Sequence, residues 1–103
     1  MRYQLVLQFP GDSPADFDTL LTVEEKLAAM LSDVADVDGH DIGSGEANIF
    51  VLTDDPRDTF DKALPVLKDC ADVDSMRAAF REITGETYTV LWPRDFRGKF
   101  AVA

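Results

Sequence analysis

Cysteine is almost missing: Cys70 is the only one in 103 residues. A lone thiol closes no intramolecular bridge and builds no thiolate cluster for a metal, which fits a reducing compartment. Set between Asp69 and Asp72, it is also a poor nucleophile. Histidine is equally scarce. His40 stands alone, which excludes every motif that binds a metal through two imidazoles. Long apolar runs are absent too. Leu27 to Leu31 spans five residues and Ile49 to Leu52 four, against the roughly 20 of a membrane-spanning helix. Met1 and Arg2 lead straight into an alternating segment with no signal-peptide core, so the sequence predicts a cytoplasmic protein with no membrane association. Bases are few: 10 against 20 acids, a formal charge of -10. That balance opposes a phosphate backbone and argues against nucleic acid as a partner.

What remains is ample for a core. Hydrophobic residues make up 46% of the chain, rich in Leu, Val, Ile and Phe, which argues against disorder despite the acidity. At this length the expectation is one domain covering residues 1–103, burying roughly 60 to 70% of its unfolded surface. Charge is uneven along it. Residues 11–41 hold nine acids and one base, whereas residues 76–103 hold five bases and three acids. The acidic stretch is suited to solubility or to steering a basic partner.

Tyr3 to Phe9 alternates with period two and predicts a strand, followed by the turn cluster Pro10-Gly11-Asp12-Ser13-Pro14. Phe17, Leu20, Leu21, Leu27, Ala28 and Leu31 then recur at helical spacing and predict a helix over roughly residues 14–32. Glu24 is out of place there, because at about 100° per residue it falls on the apolar stripe. Val34 to Ile42 and Glu46 to Thr53 flank Gly43-Ser44-Gly45, the pattern of a β-hairpin. Asp55 as N-cap and Pro56 at the first position start a second helix, which Pro65 should kink or shorten. Met76 to Ile83 fits either a short helix or a strand, with strand favoured, and Glu86 to Trp92 is a β-branched and aromatic strand closed by Pro93. The end of the chain offers Phe100 to Val102 as a further edge strand.

This order, βαββαβ with room for an extra strand before the last, predicts an α+β fold. It is the ferredoxin-like split βαβ arrangement, an antiparallel sheet with two helices on one face. The other face would be open. If Ile49 and Val51 point to the helices, then Phe50, Leu52 and Val6 point away from them. Such an apolar surface predicts an interface, met by a second copy or another protein, or covered by the C-terminal segment with Trp92 and Phe96.

Asp33 to Asp41 has the alternating carboxylates of a calcium loop, but aligning its glycine puts Val34 at the first ligand position and Gly45 at the bidentate one. No metal site is predicted, and no cofactor. Gly43-Ser44-Gly45 fails as a phosphate loop, with Asn48 where a third glycine belongs, and as a serine elbow, with Ile42 two residues before the serine. His40 remains as a candidate general base near Asp38, Asp41, Glu46 and Asn48 across the hairpin. Strict alternation would put Asp36, Asp38 and His40 on one face and Asp41 on the other.

The segments Val37-Asp38-Gly39-His40-Asp41, Gly43-Ser44-Gly45-Glu46, Asn48-Ile49-Phe50, Thr53-Asp54-Asp55-Pro56 and Tyr88-Thr89-Val90-Leu91-Trp92-Pro93 together resemble a group of small, acidic, uncharacterised bacterial proteins. The resemblance spans most of the chain. It implies a bacterial cytoplasmic protein and carries no reaction, substrate or assigned site. Asp38, His40, Asp41, Glu46 and Asn48 are the candidate binding residues, and Val6, Phe50 and Leu52 the candidate interface. The function expected is a non-enzymatic interaction module. The alternative is a small enzyme or ligand-binding domain in which Asp41 or Glu46 orients His40.

Overall fold

The computed structural model describes residues 1–11, 14–96, 98 and 100–102. Asp12 and Ser13 of the first turn cluster, and Arg97, Lys99 and Ala103 of the tail, lie outside the described residues. The elements run β1 (Tyr3–Pro10), α1 (Pro14–Met30), β2 (Ala35–Gly43), β3 (Glu46–Thr53), α2 (Pro56–Cys70), β4 (Arg77–Glu82) and β5 (Thr89–Trp92). All neighbouring strands pair antiparallel, in the order β2-β3-β1-β4-β5. The fold is therefore α+β, the ferredoxin-like split βαβ, with β4 beside β1 and β5 added outside it.

Alternation sorts the sheet into two faces. Leu5 and Leu7 of β1 with Ile49 and Val51 of β3 form one cluster with Leu20, Val23, Leu27 and Leu31 of α1 and Phe60, Ala63 and Leu67 of α2. Both helices thus share one side. The start of α2 is capped as its sequence demands: the Asp55 carboxylate accepts the backbone N–H of Asp58 at 3.1 Å, one residue pair after Pro56 enters the first turn. Pro65 does not shorten this helix, which continues to Cys70. Pro65 and Asp61 lie on its exposed side, where water takes the carbonyl that proline leaves unpaired.

Residues 77–82 form a strand, as the alternation of Ala78 and Phe80 favours. β5 is shorter than the β-branched run suggests. The Arg81 guanidinium explains this, because its Nη1 donates to the carbonyls of Glu82, Ile83 and Gly85 and holds that loop out of the ladder. Between β2 and β3 the chain reverses on two residues, Ser44 with φ 55° and Gly45 with φ 80°. Two successive positive φ angles give the turn whose twist suits a hairpin.

The second sheet face is not bare. Residues 100–102 cross it without joining the ladder, contrary to the expected edge strand. Phe100, 6% exposed, packs on Val6 and Ala79 and meets Tyr88 edge to face at 4.9 Å. Gln8 fastens the segment by donating its side-chain amide to the Ala101 carbonyl at 3.0 Å. Trp92, expected here, is on the helix side instead: its ring lies 6.0 Å from that of Phe60 and its indole N–H donates to the Val73 carbonyl. Phe100 is the covering residue that the pattern did not single out. Val6 is fully buried beneath it, so of the three expected interface residues only Phe50 and Leu52 keep accessible surface.

Phe100→Ala should cost about 3 kcal/mol, the lower end for removing a buried phenyl ring. Urea unfolding of the variant measures it; an unchanged midpoint would mean that the tail does not seat on the sheet.

Candidate functional site on the acidic hairpin

Asp38 and Gly39 decide where the hairpin's polar side chains go. Val37 stands opposite Val51 and Gly39 opposite Phe50, so β2 spends one more residue than β3 at this point. Such a bulge inverts the alternation that follows. Gly39 has φ 153°, a value that L side chains rarely adopt and glycine does freely.

After the bulge His40 stands opposite Ile49 and faces the helices, while Asp41 stands opposite Asn48 on the other face. Asp36, before it, stands opposite Leu52 and faces away from the helices. The expected grouping of Asp36, Asp38 and His40 on one face is therefore corrected, and the cause is the extra residue.

On the helix side the Nδ1 of His40 lies 2.9 Å from a carboxylate oxygen of Glu24 on α1. The two side chains keep 30% and 22% of their surface. Phe17, about two turns before Glu24, meets the imidazole edge to face with centroids 5.7 Å apart. This contact accounts for the glutamate on the apolar stripe of α1. Sequence reasoning noticed both residues and did not pair them, because strict alternation placed His40 on the wrong face. The surrounding depression, about 520 Å³, is lined by Leu21, Glu24, Ala28, Val37, Asp38 and His40 with Glu25 and Gly39. Its lining supplies no hydroxyl or thiol that an imidazole could activate.

On the other face Asn48 is 1% exposed, accepts from the Gln8 amide at 3.1 Å and donates to Glu46 at 3.4 Å. Gln8 is the same residue that holds the tail, so Asn48 and Glu46 buttress its seat. The five candidate residues accordingly do not form one constellation. His40 belongs to the α1 contact with Asp38 beside it on the same depression, Asn48 and Glu46 to the tail seat, and Asp41 to the opposite face of the edge strand. Among the described residues no group of three or more His, Cys, Asp and Glu side chains is placed to hold a metal, and no helix is long and apolar enough to cross a membrane.

Asp36, Asp38 and Asp41 are exposed on β2, one of the sheet's two edge strands. None of their carboxylates has a hydrogen bond or ion pair among the described residues. Beside them on β3, Phe50 and Leu52 are half-buried. Charge and a bulge on an edge strand oppose unspecific strand addition, leaving side-chain recognition as the contact this edge offers. No family model, curated protein or solved structure matches the chain.

The His40 and Glu24 contact should be worth about 0.5 to 1 kcal/mol, as a partly solvated pair. A double-mutant cycle with His40→Ala and Glu24→Gln, read by urea unfolding, measures that coupling; additive effects would show that the two side chains act independently.

Proposed function

We propose that this chain is a non-enzymatic interaction module that docks a basic protein segment along its β2 edge. The observation that carries the reading is Asp36 and Asp41, unpaired among the described residues, on the face of the half-buried Phe50 and Leu52, with Asp38 exposed between them at the bulge. The rest of that sheet face is already taken by the chain's own C-terminal segment. Apolar anchors flanked by charges of one sign favour a partner with apolar side chains and the opposite charge. A second copy suits this surface poorly, because two molecules carrying -10 each repel one another.

The enzymatic alternative loses the orienting partners expected for it, because Asp41 and Glu46 face away from His40. Glu24 holds Nδ1 in their place and leaves Nε2 open. Among the described residues the lining offers no hydroxyl or thiol for Nε2 to activate, which favours a tie between α1 and β2 over nucleophilic chemistry.

A labelled peptide of alternating lysine and leucine serves as the probe in fluorescence anisotropy. Binding should weaken as salt rises, and the triple variant Asp36→Asn, Asp38→Asn, Asp41→Asn should bind at least about tenfold more weakly, since exposed charges contribute up to about 1 kcal/mol each. Phe50→Asp should lose the probe while keeping its circular dichroism. Salt-independent binding, or a triple variant equal to wild type, would overturn the reading.

A further inference from the structure

A hollow lies away from the hairpin, where the end of β1, the first turns of α1 and the loop after α2 come together. Its volume is about 140 Å³. An apolar cavity of about 150 Å³ holds a benzene ring. Its floor is Phe9, Leu20, Val23 and Ala47, of which the last three are at most 3% exposed. Its mouth carries two carboxylates, Asp16 from α1 and Asp72 from the loop after α2. No basic side chain lines it among the described residues.

Local backbone chemistry holds Asp72. The Asp72 carboxylate accepts the backbone N–H of Asp74 at 3.1 Å, a short turn that leaves its second oxygen for another donor. Asp16 lies against Gly11, where a Cβ would overlap its carboxylate. Gly11 has φ 108°, so this position favours glycine for its backbone, and a larger residue would also push the Asp16 carboxylate aside. An apolar, concave floor with a few polar groups at the rim is the ordinary form of a small-molecule site. Carboxylates at the rim of a molecule with net charge -10 draw cations and repel anions.

We infer that this cavity is a binding site for a small hydrophobic cation, an amine whose apolar body lies on Phe9, Leu20, Val23 and Ala47 and whose ammonium meets Asp72 at the rim. The site is independent of the docking edge, and its occupation requires no partner protein.

Benzylamine, benzyl alcohol and benzoate share one ring and differ in charge, which makes them the probes for a ¹H–¹⁵N NMR titration of the full chain. Benzylamine should give saturable shifts at the amides of residues 9, 20, 23, 47 and 71–75. Benzyl alcohol should bind about tenfold more weakly, equivalent to about 1.4 kcal/mol for the lost charged contact, and benzoate should give no saturable shift. Asp72→Asn, an exposed change, should bring the amine down to the level of the alcohol. Ala71→Leu, at the half-buried rim, should block both the amine and the alcohol, and the unshifted spectrum elsewhere reports that it is folded. Saturable benzylamine shifts absent from these amides, equal affinities for amine and alcohol, or undiminished binding to Ala71→Leu would each overturn the assignment.

Discussion

In β2 two residues, Asp38 and Gly39, occupy the length that one residue occupies in β3, and everything the hairpin presents depends on that mismatch. Side chains in a strand alternate strictly, so one additional residue sends each later side chain to the opposite face. It turns His40 inward to Glu24 and Asp41 outward to the side of Asn48. Without it, His40 would stand among exposed acids, and Glu24 would be left half-buried on α1 with no imidazole to meet. A ring and a carboxylate 2.9 Å apart then tie the long first helix to this edge strand. The same bulge spoils the regular hydrogen-bonding edge of β2, which leaves side chains to govern what approaches it.

The opposite sheet face answers a different constraint. A split βαβ arrangement places both helices on one side, and β1 at the sheet's centre sets Val6 between Gln4 and Gln8 on the other. Val6 and Ala79 would be wet without the tail, and Phe100 removes them from water. One amide, that of Gln8, links the tail carbonyl at Ala101 to the buried Asn48. Polar groups with 1% and 6% exposure are thereby satisfied, which is what keeps them from destabilising the sheet. The cover buries Val6 and packs against Phe50 without burying it, so the part of the face left accessible is the part nearest the acidic edge.

Much of this architecture was legible in the residues. Period-two alternation in Tyr3 to Phe9, the Asp55-Pro56 helix start and the hairpin around Ser44 are local signals with local causes, and they survive in the folded chain. The inward position of Glu24 was equally visible. Its partner was not, since a bulge is a relation between two strands and leaves only a glycine at residue 39 as its trace. The reach of Phe100 across the sheet was hidden for a similar reason: a contact over more than ninety residues of sequence has no period. Pro65 misled because its effect depends on which side of α2 faces water, and the extent of β5 because Arg81 competes for the backbone carbonyls that follow β4.

The division of the hairpin into two faces is the claim on which the functional reading rests, and nuclear Overhauser contacts of the His40 ring test it most directly. The account predicts cross-peaks from the imidazole to the Phe17 ring and to the Glu24 methylenes, with none to the Asn48 side chain. Cross-peaks to Asn48 or to the Glu46 methylenes would put the imidazole on the other face and contradict it.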